Sequence, residues 1–245
     1  MSLHIIWSLE VSNLIIVESE NDKYFVEALI DKLRLENIEI GKPICDIYKF
    51  DCLGGYTKLK ARLEALKLDN YNKLGIILDA DNVGISARVE FINECLKHIC
   101  SDVQLETINQ LKRSEELDLE IVCYITNVDN KGELETLMRE IYSIDATYAD
   151  CLNSWRSCLE DKGIEVKQKE FDKIWVSHYL KYDTCLKKDK NQKSRKCANE
   201  LINNNENSNE IENNLKSNDS TIKKDIWNFE HKVLDDLKDF LELFK

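Results

Sequence analysis

LGIILDADNVG, residues 74–84, sets a nearly continuous apolar run against two aspartates. Leu74, Ile76, Ile77 and Leu78 have the character of a short strand buried on both faces, as in a parallel sheet covered by helices. Asp79 and Asp81 close it with only Ala80 between them, and Asn82 and Gly84 follow. Side chains two apart at a strand end point the same way. Two carboxylates so placed repel, which is costly unless positive charge lies between them. The stretch therefore reads as a buried strand whose carboxyl end calls for a cation.

Working outward, NLIIVE (13–18) reads as another buried strand, followed by a helix over 21–36 with Tyr24, Phe25, Ala28, Leu29 and Leu33 on its apolar face. ICDIYKFD (44–51) alternates as a second strand. Gly54 and Gly55 turn the chain into a helix reaching Leu68. The 74–80 strand leads to a helix over 86–99, and LDLEIVCYIT (117–126) is a fourth strand. Strand and helix thus alternate, which predicts an α/β fold with a largely parallel sheet.

Beyond residue 133 the pattern turns helical, over ELETLMREIYS, 146–160 and 170–186. Residues 203–220 hold eight asparagines and little that packs, so they are expected to form a mobile loop. A final amphipathic helix is expected over 227–244, its apolar stripe serving as core or as a docking face. The expected division is a core over 1–140 and a helical extension over 141–245.

A chain of 245 residues, 43% apolar, has room for one sizeable core plus an appendage. One proline and seven glycines argue against an all-β fold rich in turns. The net charge of −12 argues against a protein that coats nucleic acid non-specifically, though not against a basic groove on an acidic body. Nine cysteines form no CxxC pair. Cys95, His98 and Cys100 are close enough to suggest zinc, but no second Cys/His knuckle completes a site. Buried free thiols in a reducing cytoplasm are the preferred reading. No stretch reaches 18 uninterrupted apolar residues. The apolar N-terminal segment lacks a basic start and a cleavage pattern, so the expected location is cytosolic, away from membranes.

Glu18 ends the first strand, and Asp22 follows at the start of the next helix. In open α/β sheets, ligands lie outside the carboxyl ends of the strands. If the first and third strands are neighbours, Glu18, Asp22, Asp79 and Asp81 converge there. Carboxylates without histidine or thiol suit Mg²⁺ or Mn²⁺. The plain alternatives are an ordinary strand end at Glu18, a helix-start acid at Asp22 and a turn at Asp79–Asp81.

LIIVESENDKYFVEALI (14–30) together with GIILDADNVG (75–84) resembles the Toprim domain, a catalytic module of topoisomerases, bacterial primases and OLD-type (overcoming lysogenization defect) nucleases. Glu18 takes the place of the motif glutamate, and Ser19 stands where glycine is usual. The layout is similar to small uncharacterised Toprim-like proteins related to the OLD nucleases, in which a Gly-x-Leu-Glu segment follows the last core strand. GELE (132–135) matches it through Gly132, Leu134 and Glu135, and the lysine-rich 187–201 is comparable to a basic helical segment of those proteins. The resemblance implies a Toprim-like fold and divalent metal binding, with Glu135 joining Glu18, Asp22, Asp79 and Asp81 as metal ligands. Glu135 also suits the first turn of a helix.

Between Lys181 and Lys196, seven bases (Lys181, Lys187, Lys188, Lys190, Lys193, Arg195, Lys196) face two acids, Asp183 and Asp189, a local +5. The segment either binds nucleic-acid phosphate or is a solvated helix face. Lys190 and Lys193 are the candidates for neutralising charge in a transition state, beside Glu18, Asp79 and Asp81 as catalytic residues. The expected function is Mg²⁺- or Mn²⁺-dependent hydrolysis of DNA or RNA, with Glu18 as metal ligand or as general acid or base. The alternative is a non-catalytic nucleic-acid- or nucleotide-binding subunit, or an effector held silent by a partner ATPase, as some Toprim proteins of phage defence are. No Walker-type phosphate loop is present in this chain.

Overall fold

The computed structural model describes residues 12–44, 55–184 and 226–245. Its centre is a sheet of five strands: β1 (Ser12–Ile16), β2 (Ile38–Ile40), β3 (Tyr71–Asp79), β4 (Lys112–Ser114) and β5 (Leu119–Thr126). Their spatial order is β2-β1-β3-β5-β4, parallel throughout except for the edge strand β4, which runs against β5. The two acid-ending strands are therefore direct neighbours at the middle of the sheet, with Ile15 opposite Gly75.

Period-two alternation sorts the strand side chains between two layers. Leu14, Ile16, Ile76, Leu78, Ile121, Cys123 and Ile125 face α2 (Leu59–Glu64) and α3 (Ile85–Leu96). Ile15, Val17, Ile77, Val122 and Tyr124 face α1 (Glu20–Leu33), α4 (Leu134–Glu140) and α7 (Asp235–Glu242). Between α4 and α7, α5 (Thr147–Glu160) and α6 (Gln168–His178) form a third cluster around Phe171, Trp175 and Tyr179. No helix among the described residues is long and apolar enough to cross a membrane.

Helix α7 lies flat on the sheet because β3 carries glycine where the two meet. A Cβ at Gly75 would stand 2.6 Å from Phe244 Cζ and 2.9 Å from Phe240 Cζ. Each of these fully buried rings contributes about 1.5–3 kcal/mol by leaving water.

Several boundaries differ from the sequence reading. A strand at Ile38–Ile40 comes before the one expected at 44–51. Arg34 and Asn37 turn left-handed after α1, and the chain begins bonding to β1 at once. Gly41 and Ile44 continue along β1 by donating to the carbonyls of Ile15 and Val17. Residues 45–51 lie outside the described residues, as does the Asn-rich 203–220. Strand β4 was not anticipated, since three residues, KRS, carry no usable period. The last helix begins with a 3₁₀ turn at Lys232–Leu234 rather than at 227. Residues 226–228 spend their backbone groups elsewhere: Ser143 donates to Ile226, Asn228 donates to Ile141, and Trp227 bridges Tyr142.

Candidate acidic site at the carboxyl ends of β1 and β3

Glu18 stands just past β1, and its Oε2 lies 3.4 Å from the main-chain N–H of Asp79, a long contact between the two strand ends. Ser19 caps α1. Its N–H and hydroxyl donate to Asp22 Oδ2 at 2.8 and 2.6 Å, while its Oγ accepts from the Asp22 N–H at 3.3 Å. This capping box explains serine at 19. Its φ of −132° is open to any residue, so glycine is not needed there.

Asp79 ends β3 with its Oδ1 buried and without a hydrogen-bond partner. After Ala80, Asp81 adopts a left-handed φ of 48°. Its backbone exchanges two hydrogen bonds with Gly132, tying the loop after β3 to the loop after β5. Gly132, at φ 100°, is required: a Cβ there would meet Thr136 at 2.9 Å. The segment then enters α4, which presents Glu133 and Glu135 to the same end of the sheet.

The acids destabilise one another's charge. Burial raises Asp79 well above the ordinary carboxylate range, and the charges of Asp22, Glu18, Glu135 and Glu133 push it further. Asp22 rises to about 7, chiefly through burial, with Ser19 opposing and Glu18 and Glu135 adding to the rise. Glu18 and Glu135 are raised too, first by burial. The sequence-derived acids Glu18, Asp22, Asp79 and Glu135 thus feel each other at one place.

Asp81 is part of the same end of the sheet, but its charge is already met. Arg88 of α3 pairs with its Oδ2, and Lys169 of α6 with its Oδ1 at 2.7 Å. These two cations make the double aspartate tolerable in the protein as it stands. Arg88 is nearly inaccessible: its Nε donates to the Asp79 carbonyl at 2.8 Å and its Cζ lies 3.8 Å from the centre of the Tyr56 ring.

Lys169 also contacts Glu133 Oε2 at 2.9 Å, and Lys173 reaches the same oxygen at 3.3 Å. Glu133 is only 2% exposed, and its Oε1 has no partner. Helix α6 is held in place by Asp172, fully buried between Arg139, Thr136 (2.8 Å) and Gln168 (2.7 Å). Arg88, Glu133, Lys169 and Lys173 were not singled out in the sequence. Lys169 and Lys173, four apart on one helix face, were the legible signal. The chosen bases Lys187, Lys188, Lys190, Lys193, Arg195 and Lys196 lie outside the described residues.

Oxygen-only donors, orphaned buried oxygens on Asp79 and Glu133, and carboxylates resisting ionisation together fit a hard divalent cation in chemistry. Among the described residues, no three acid, histidine or thiol groups are yet arranged to hold one. Asp22 is turned to Ser19, and Asp81 to Arg88 and Lys169. Away from this site, Cys95 and Cys100 are buried free thiols.

A family model described as a protein of unknown function, DUF3226, matches residues 12–245, which include every acid named above. The chain belongs to the DUF3226 family. No curated protein and no solved structure matches this DUF3226 chain.

Proposed function

We propose that this DUF3226 protein is a Mg²⁺- or Mn²⁺-dependent nuclease with a Toprim-like arrangement of its parallel sheet. The reading is carried by one observation: Glu18, Asp22, Asp79 and Glu135 meet where β1 and β3 end, each with its charge disfavoured, beside two lysines. Such groups are expected where a site is built for an ion rather than for rest.

A bound divalent ion supplies charge that acidifies a water and offsets charge building on a phosphate. Glu18, Asp79 and Asp81 would hold it, with Asp22 and Glu135 assisting. Glu18, raised by burial yet partly open to solvent, is suited to accept or return a proton. Lys169 and Lys173 supply positive charge on the side facing α6, and the basic segment 187–196 is the proposed contact for DNA or RNA phosphates.

The test is calorimetry with Mn²⁺ on the wild type beside Asp79→Asn/Asp81→Asn, with plasmid and RNA cleavage run on the same samples. Binding and cleavage that both disappear in the double variant support the nuclease. Metal binding without cleavage favours the second reading, a binding subunit or an effector governed by a partner ATPase. That reading draws on the pairing of Asp81 with Arg88 and Lys169, which keeps a motif carboxylate engaged.

A further inference from the structure

We propose that Lys169 is the resident counter-ion of Asp81 and Glu133, and that a divalent cation is admitted to the acidic site only by displacing it. This rests on the reading that the acids at the ends of β1 and β3 hold such an ion.

The ammonium sits between two carboxylates, 2.7 Å from Asp81 Oδ1 and 2.9 Å from Glu133 Oε2. A lysine ammonium carries its charge at neutral pH, so the contact is between unlike charges. With Arg88 on Oδ2, both oxygens of Asp81 are engaged. Asp81 cannot give a cation an unshared oxygen until one of these partners leaves.

The two partners differ in how freely they can leave. Arg88 has a side chain 5% exposed, stacked on Tyr56 and bonded to the Asp79 carbonyl, so removing it dismantles the turn. Lys169 has a side chain 48% exposed and can swing into water on its own flexible stem. Lys173 already touches the same Glu133 oxygen, so Glu133 stays paired after Lys169 departs. Glu133 also brings a buried, unpartnered Oε1, and Asp79 a buried, unpartnered Oδ1, to the same region. A divalent ion contacting several oxygens at once outcompetes one ammonium.

The site therefore exchanges a single charge for a double one, and its apparent metal affinity includes the cost of breaking the Lys169 pairs. Removing the competing lysine should tighten binding. A charge-assisted pair of this kind corresponds to about a tenfold change in affinity.

The experiment measures Mn²⁺ affinity by calorimetry for the wild type, Lys169→Met and Lys173→Met. In parallel, wild-type Lys169 is acylated with an amine-directed reagent, with and without Mn²⁺, and its labelling followed by mass spectrometry. Asp79→Asn is the labelling control. The expected result is about tenfold tighter Mn²⁺ binding for Lys169→Met, little change for Lys173→Met, and faster Lys169 labelling in the metal-loaded wild type only. Equal or weaker binding by Lys169→Met, with the wild type still binding, overturns the exchange and leaves the metal site standing. Should that variant fail to fold, labelling of wild-type Lys169 that ignores saturating Mn²⁺ overturns it as well. Absence of Mn²⁺ binding in every protein overturns both the exchange and the reading beneath it.

Discussion

Arg88 and Asp81 form the pair that fixes the turn after β3: the guanidinium meets the Asp81 carboxylate through Nη2 and the Asp79 carbonyl through Nε. A lysine cannot bridge both groups or stack on Tyr56 in the same way. Arg88→Lys should therefore lose about 2 kcal/mol of stability, less than a wholly buried pair because Lys169 still serves Asp81. Urea unfolding checks this, and a loss below about 0.5 kcal/mol would show that the turn stands without the guanidinium.

The acidic site should make the metal-free protein more stable in mild acid than in mild base. Asp22 binds its proton up to about pH 7 when folded, against an ordinary 3.8. Between those values the folded chain keeps a proton that the unfolded chain has lost. The stabilisation is complete below about pH 4 and is lost as pH rises through 7, at up to about 1.4 kcal/mol per pH unit for one group. Glu18, Asp79 and Glu135 are raised too and act in the same direction. Urea midpoints at pH 5 and pH 8 in chelator should show the fall, and Asp22→Asn should make it smaller. Equal midpoints for the wild type would sink the idea.

Gly75→Ala should destabilise by about 1–3 kcal/mol, since the new methyl meets two rings that cannot swing aside. Adding Phe244→Leu should return part of that loss. Independent, additive costs in the double variant would show that the rings do not press on this glycine.

Asp172→Asn should loosen α6 from α4. It removes the charge facing Arg139 in a fully buried position, for a cost of about 3 kcal/mol. Hydrogen exchange should quicken at the amides of α6 while those of β3 stay protected. Uniform loss of protection over the whole chain would contradict a local role.

How much of this was legible in the sequence depended on how far each feature reaches along the chain. The strands β1, β3 and β5 announce themselves as apolar runs, and the acids that close β1 and β3 are found by simple counting. The neighbourhood of β1 and β3 was a condition in the sequence and is a fact of the sheet order. Strands β2 and β4, three residues each, take their conformation from the neighbour they pair with, so no local period marks them. Asp81 read as a carboxylate awaiting a metal because its protein partners come from other elements: Arg88 from the helix that follows, and Lys169 from 88 positions away. The pairing with Lys169, across that separation, leaves no trace in spacing. Glu133 was passed over for Glu135 for the same reason, since its burial is created by packing between α4 and α6.

The end of α7 is fastened to the sheet at two points: Asn13 Nδ2 donates to the Phe244 carbonyl at 2.8 Å across 231 positions, and Lys73 Nζ donates to the carbonyl of Leu243. Chain closure over such distances costs little more for each added residue, about 0.6 kcal/mol per doubling of the loop. The cost appears in time instead. Contacts this far apart in sequence slow folding, because the segments must find each other before any burial rewards them. Docking of α7 is therefore expected among the late steps of folding, and until it docks the stretch of sheet around Gly75 and Ile77 lacks the cover of Phe240 and Phe244.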